Sequence, residues 1–294
     1  MKLVIASCCK VQDTSADQSV WTEIANEAPD ALLLLGDNIY LEHDRRTDPI
    51  ALKDELITRY NELACEPHFK ALADQLAGSN RPLLACYDDH DFLGDDRYGG
   101  DVANELREAA REAFVEHWHP RLTGRDVYSR QSLDQVDVIL LDTRFYRENR
   151  FARGSTTRDA VLGSRQWSWL ENELDQSTSQ YLVIASGSTF HDFSRLECWE
   201  HYPAAFARLR DLLRGRPGAL VASGDIHANN LYDDSGVIEV VSSGVARRGV
   251  IFGGRRRNYG VLSFDAHGVA VDLRSNKAYS RFKTYIEIDN WVLT

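Results

Sequence analysis

Four short apolar runs in this 294-residue chain each end on groups that can bind cations or carry protons. Leu3-Val4-Ile5-Ala6 leads into Ser7-Cys8-Cys9, and Leu32 to Leu35 leads into Gly36-Asp37-Asn38-Ile39-Tyr40. Leu83-Leu84-Ala85-Cys86-Tyr87 leads into Asp88-Asp89-His90-Asp91, and Leu220-Val221-Ala222-Ser223 into Gly224-Asp225-Ile226-His227. Strands that finish on charged groups gather ligands from distant segments at one sheet edge, where α/β proteins bind their substrates. The chemistry this suggests is metal-dependent hydrolysis.

Asp37, with two oxygens at a strand exit, could bridge two cations; alone it reads equally well as a turn or cap aspartate. Tyr40 could aim at the same centre, and a phenolate ligand suits a hard trivalent ion such as Fe(III); alone it reads as a packed aromatic. The four ionisable groups Asp88 to Asp91 repel one another unless cations or hydrogen bonds compensate. Asp89 and His90 are the candidates there, and Asp95 or Asp96 could bind metal or orient His90; an acidic surface loop is the other reading. Asp225 and His227, two apart in an extended segment, share a face. Imidazole suits zinc and iron, and carboxylate suits calcium, magnesium and manganese. Cys8 adds a thiol whose ionised form an adjacent cation favours.

Arg144 and Arg147 follow Asp142 at another strand exit, and guanidinium forks match phosphate geometry; a salt-bridged pair is the alternative. His191 is either a further ligand or a wall residue. Arg247, Arg248, Arg255, Arg256 and Arg257 surround Gly253-Gly254, a local positive run read as a solvated loop or as a lid over residues 245–260. Other chemistries lack their motifs. There is no Gly-x-Ser-x-Gly elbow, no His-Glu-x-x-His, no Gly-x-Gly-x-x-Gly after the first strand and no Gly-Lys-Ser/Thr phosphate loop.

The elements that must position these residues alternate. Strands are expected at 2–6, 31–35, 82–86, 136–141, 180–186 and 219–223, with helices at 20–28, 49–64, 67–77, up to about 118, 163–175 and 203–214. From 236 onward the pattern becomes a meander, with turns at Asp233-Asp234-Ser235-Gly236 and Asp265-Ala266-His267-Gly268. Continuous apolar runs imply sheets covered on both faces. The expected architecture is a four-layer α/β sandwich of two mixed β-sheets flanked by helices, in a single domain over 1–294.

With 45 acidic against 34 basic side chains the net charge is −11, a field that disfavours extended duplex nucleic acid and acidic membranes. No apolar run reaches membrane-spanning length. One lysine and five apolar or small residues before Cys8 do not make a signal peptide. A cytoplasmic location is expected, and export would need a removed leader. Five cysteines, an odd number, argue against a disulfide framework; Cys65, Cys86 and Cys198 are expected as buried small hydrophobes. Nothing in the sequence encodes an oligomeric state.

In order along the chain, Ala6-Ser7-Cys8, Gly36-Asp37-Asn38-Ile39-Tyr40, Asp88-Asp89-His90-Asp91, Leu141-Asp142-Thr143-Arg144 and Ser223-Gly224-Asp225-Ile226-His227 resemble the PhoD-like alkaline phosphatase/phosphodiesterase family, part of the calcineurin-like metallophosphoesterase superfamily. Leu162-Gly163-x-x-Gln166-x-x-Trp169-Leu170 resembles that family's helix before its second sheet. The resemblance implies that Cys8, Asp37, Tyr40 and His227 hold one metal, Fe(III) in the best-known members, and that Asp37 bridges to a second. Asp89, Asp225 and Asp95 would serve the second metal, Ca(II) in such members, with Mn, Zn or Mg also compatible. Asp95 stands where members often carry Asn, which adds negative charge. His90 takes the position of the catalytic histidine, and Arg144 is the expected phosphate clamp, with Arg147 a weaker candidate. The implied substrate is a small phosphate ester or diester. A non-catalytic protein that retains the metal site is the alternative.

Overall fold

The structure is a computed structural model that describes residues 1–12, 17–41, 47–118, 126–149, 157–192, 197–234, 236–248, 255–275 and 282–293. Two six-stranded sheets face each other. The first runs in the order β14 (Phe282–Glu287), β13 (Gly268–Arg274), β12 (Tyr259–Phe264), β1 (Lys2–Ala6), β2 (Ala31–Leu35), β3 (Leu83–Cys86). In it β1, β2 and β3 are parallel, and the C-terminal meander adds antiparallel strands beside β1. The second runs β4 (Ser129–Leu133), β5 (Val136–Leu140), β6 (Tyr181–Ser186), β7 (Ala219–Ser223), β9 (Val237–Val241), β8 (Asn230–Asp234). Its four central strands are parallel and its two edges antiparallel.

Alternation along the strands explains why the apolar runs are unbroken. Leu3, Ile5, Leu33 and Leu35 face Val138, Leu140, Val183, Leu220 and Ala222 between the sheets. Val4, Leu32 and Leu34 face outward into a second core. That core is closed by α1 (Val20–Asn26), α2 (Pro49–Cys65), α3 (Pro67–Gly78) and α5 (Asn104–Trp118). Ile139, Ile184 and Val221 do the same on the far side beneath α6 (Gly163–Gln176) and α7 (Pro203–Leu213). Both faces of each sheet are therefore apolar, and the four expected layers are present. The helices start where the sequence marks them. Asp48 and Glu66 accept from the N–H groups of Ile50 at 3.0 Å and Phe69 at 2.7 Å, with Pro49 and Pro67 at the first helical positions.

Several expectations are corrected. Ser129–Leu133 and Asn230–Asp234 are strands that no apolar run announced, because they are sheet edges with only partial burial. Asp233 and Asp234 extend the second of these, so the expected turn starts later; Gly236 donates to Asp233 Oδ1 at 2.7 Å. The turn at Asp265 forms as expected, its carboxylate accepting from the N–H groups of His267 and Gly268. Cys65 is exposed rather than buried, since it ends α2 on the solvent side; Cys86 and Cys198 are buried. In the arginine-rich segment the backbone of Arg247–Arg248 (β10) pairs with Arg255–Arg256 (β11), while Gly253-Gly254 and the rest of that loop lie outside the described residues. Arg257 pairs with Asp17 and Glu23 beside α1.

The two sheets meet at glycines. A Cβ at Gly224 would stand 2.4 Å from the Leu35 carbonyl oxygen and 2.6 Å from Ser7 Oγ. One at Gly187 would stand 2.7 Å from both Asp88 Cβ and the Tyr87 carbonyl oxygen. The ends of β1, β2, β3, β6 and β7 can converge only because these positions carry no side chain. Gly224→Ala is expected to lose about 1–3 kcal/mol of stability, the range for overpacking a tight interior. Urea denaturation of the variant beside the parent checks this; an unchanged midpoint would show that the junction has slack.

Candidate active site

Every chemistry-bearing residue sits just past the carboxyl end of a parallel strand. Cys8 follows β1, Asp37 follows β2, and Asp88 and Asp89 follow β3, with Asp89 opening the short helix α4 (Asp89–Phe92). Arg144 follows β5, Ser188 follows β6, and Asp225 and His227 follow β7. The chain turns sharply at these exits. Cys8, Asp37, Asp96, Asp225 and His227 all have left-handed backbone, with φ of 60°, 49°, 56°, 70° and 52°. Non-glycine residues in that region cost of order ~1–3 kcal/mol each and concentrate at functional sites.

Ligand atoms of Cys8, Asp37 and His227 lie within 4.8 Å of one another, and so do those of Asp37, Asp89 and His90. Asp37 belongs to both groups. Its Oδ2 accepts from Tyr40 Oη at 3.0 Å and from Cys8 Sγ at 3.4 Å. Tyr40 Oη is 3.2 Å from His227 Nε2. Asp37 Oδ1 is buried and receives no hydrogen bond among the described residues. A buried carboxylate oxygen without a donor is the coordination that a cation would satisfy, and thiol, phenol, imidazole and carboxylate donors around it fit a transition metal.

The electrostatics agree. Burial, then the nearby Cys8 and Asp89, push the Asp37 carboxyl well above the ordinary range. Burial, then Asp88 and Asp89, do the same to Asp225. Asp89 goes the other way: burial opposes its ionisation, but Arg144, His90 and the Asp96 N–H hold it down at about 2. Asp96 donates that N–H to Asp89 Oδ2 at 2.7 Å. Asp91 is pushed up to about 7 by burial, although it accepts from the N–H groups of Asn38 and Asp88.

The remaining expected residues are placed as follows. His90 Nδ1 faces the Leu41 carbonyl oxygen at 3.2 Å, its ring lies against Tyr40 with centroids 4.1 Å apart and the planes tilted by 41°, and Nε2 is 3.8 Å from Asp95 Oδ1. Asp95 is mostly exposed at the rim, and Asp96 is exposed too, although its N–H reaches Asp89. Asp225 belongs to neither close group; its carbonyl oxygen accepts from Cys8 Sγ at 3.8 Å. His191 is held by buried Glu239, with Nδ1 2.8 Å from Oε2, and is not in either group.

Arg144 is 1% exposed, and its donors are already engaged. Nε meets Asp88 Oδ1 at 2.5 Å, Nη1 meets Glu197 Oε2 at 2.7 Å, and Nη2 meets Ser188 Oγ at 3.1 Å. Arg147, equally buried, binds the same Glu197 oxygen at 2.9 Å and the same hydroxyl at 2.8 Å. The geometry makes this pair a support beneath Asp88 and Asp89 rather than a clamp open to a substrate. Sequence reasoning missed Glu197 and Ser188, which no motif marks. It also missed Ser243, whose Oγ is 3.1 Å from Cys8 Sγ and accepts from the His227 N–H at 2.8 Å. The small residues after the strand at 237–241 were its signal.

Two mixed sheets packed face to face, with a shared aspartate at the junction of their strand exits, define a metallophosphoesterase-type fold. The PhoD-like phosphatase family model matches residues 3–258, and the chain belongs to that family. It is 23% identical over 280 residues to alkaline phosphatase D of Bacillus subtilis (strain 168), covering 80% of this chain and 47% of that protein. The chain thus spans about half the length of that curated relative. A solved structure of PhoD superposes with a TM-score of 0.68 at 18% identity, over 97% of this chain and 68% of the other. Purple acid phosphatase PPD1 from yellow lupin seeds gives 0.60 at 13% identity, over 100% of this chain and 55% of that one. At these identities the structures establish the shared fold.

Two outcomes are expected. Arg144→Ala leaves Asp88 buried without its cationic partner and Glu197 with Arg147 alone, so about 3–5 kcal/mol of stability is lost, measurable by urea denaturation. The second concerns pH. An unfolded Asp titrates near 3.9, so Asp37, Asp225 and Asp91 hold their protons to higher pH folded than unfolded. Stability from these groups is full below about pH 4 and falls as pH rises through their folded values. Asp89 acts oppositely and loses its contribution only as pH falls towards about 2. Metal-free protein should therefore melt at lower temperature as pH rises from about 5 to 8, and added metal should restore more at the higher pH. Thermal scans in chelator with and without readded metal check both signs.

Proposed function

We propose that this protein hydrolyses small phosphate esters with the help of two metal ions held at the junction of the two sheets. The observation that carries the reading is Asp37: it is shared by two close donor groups and keeps one buried oxygen without a donor. Cys8, Asp37, Tyr40 and His227 would hold one metal, for which the thiol and phenol donors favour Fe(III). Asp37, Asp89 and Asp225 would hold the other with oxygen donors, which suits Ca(II), with Asp95 or Asp96 at its rim. Bound metals would supply a nucleophilic hydroxide at neutral pH and offset charge on the phosphoryl oxygens.

The chain's own groups complete the chemistry. His90 has its ring held by the Leu41 carbonyl and by its tilted contact with Tyr40, which leaves Nε2 to give a proton to the departing ester oxygen. Asp95, close to that nitrogen, orients the ring. Arg144 would act as a positioning residue, holding Asp88 at its Nε and lying 4.0 Å from Asp89. The alkaline phosphatase named in the comparison supports the same reaction class for this chain.

The test is metal analysis of freshly purified protein together with hydrolysis of p-nitrophenyl phosphate and bis-p-nitrophenyl phosphate. Bound metal near two per chain is expected, with turnover abolished by chelation and by Asp37→Asn. His90→Asn should retain metal and lower kcat by about 10²–10⁴, the usual contribution of a general acid. Metal without turnover of either ester would favour a binding protein that retains the site. No metal and no turnover after addition of Fe, Ca, Mn, Zn or Mg would overturn the proposal.

A further inference from the structure

A second group of metal-type donors lies on the loop between β6 and α7, built from Asp192, Cys198 and His201. One ligand atom of each falls within 4.8 Å of the others, and none of the three belongs to the Asp37 groups. Three different donor types converge here, not a patch of like charge. His201 Nε2 is 3.6 Å from Asp192 Oδ2. Ligands around a tetrahedral zinc stand roughly 3.3–3.8 Å apart, given metal–ligand bonds of about 2.0–2.3 Å. The histidine and aspartate already have that separation.

The local backbone prepares the sulfur. Cys198-Trp199-Glu200-His201 has the Cys-x-x-His spacing in which a single tight turn carries two ligands. Trp199–His201 is one 3₁₀ turn preceded by Cys198. The His201 N–H donates to the Cys198 carbonyl oxygen at 3.3 Å, which closes the turn beneath the thiol. Burial pushes this thiol up to about 12, so the sulfur is protonated until a cation displaces its proton. The turn is anchored: Trp199 is fully buried, its N–H donates to the Thr189 carbonyl at 3.0 Å and its indole to Ser186 Oγ at 3.2 Å. On the other side, Asp192 N–H donates to the Glu200 carboxylate at 3.3 Å. Cys198 is buried, while His201 and Asp192 keep about a quarter of their side chains open, so an ion can enter.

We propose that Asp192, Cys198 and His201 form a separate binding site for a borderline-soft divalent cation of the zinc class. Binding forms one sulfur–metal bond and releases the thiol proton to solvent. Three protein ligands leave the fourth position to water, which fits a site of moderate affinity better than a closed structural centre. Glu197, next to Cys198, is the carboxylate that joins Arg144 and Arg147. A cation on this loop would therefore fasten the support beneath Asp88 and Asp89 at its outer end.

The test uses full-length protein carrying Cys8→Ser, so that the Asp37 centre has no thiolate to report. Cobalt(II) is titrated into this metal-free protein. The expected result is one near-ultraviolet thiolate-to-cobalt band, saturating at one equivalent, displaced by zinc and raising the thermal midpoint. Adding Cys198→Ser should abolish the band. His201→Gln, at a position about a quarter exposed, should weaken binding at least tenfold. Absence of a band in the Cys8→Ser protein, its persistence after Cys198→Ser is added, or unchanged affinity in His201→Gln would overturn the assignment. Loss of esterase activity in Asp37→Asn leaves this band untouched, which separates the two centres.

Discussion

Asp37, Asp88, Asp89 and Asp91 are buried together where the two sheets meet, and Asp225 stands at their edge. Four carboxylates cannot all be ionised in a region withdrawn from water unless positive charge is brought to them. The fold answers on one side only. Arg144, supported by Arg147 and Glu197, balances Asp88 and lies 4.0 Å from Asp89. Asp37 and Asp225 receive no comparable partner and are driven towards the protonated form. The asymmetry separates a charged support from a face that protons or cations must neutralise.

That face is made by strand ends that turn abruptly. Five left-handed, non-glycine residues at one locus represent strain that the surrounding sheets hold in place. The sheets can do so because both of their faces are packed, and because Gly187 and Gly224 let the exits approach within van der Waals contact. Most donors thus sit within a few residues of a packed strand end, while the rim residue Asp95 and the loop bearing Glu197 lie further along the connections. Rigid placement of donors is what lets a carboxylate such as Asp37 be shared by two centres.

The arginine pair shows how position overrides residue type. A guanidinium after a strand exit is equally suited to clamp a phosphate or to hold an internal carboxylate. Its burial, and the saturation of its donors by Asp88, Glu197 and Ser188, assign Arg144 to the second task. Glu197 reaches it from more than fifty residues away, on the same loop that carries Cys198 and His201. The support of the active site and the second donor group are therefore parts of one segment.

The buried parallel strands, the capped helices and the residues Cys8, Asp37, Tyr40, Asp89, His90, Asp225 and His227 were legible in the sequence, since unbroken apolar runs end directly on them. Periodicity and strand-exit chemistry are local properties, and a local pattern suffices to read them. The polar edge strands Ser129–Leu133 and Asn230–Asp234 were not legible, because half-exposed strands need no apolar signature. Neither were the bond from the Asp96 N–H to Asp89, the support role of Arg144, or the meeting of Asp192 with His201. Sequence determined which residue types stand at the strand exits. Only tertiary structure decided which of them share a centre and which are consumed in holding it, because charge balance in a buried site depends on distances between segments far apart in the chain.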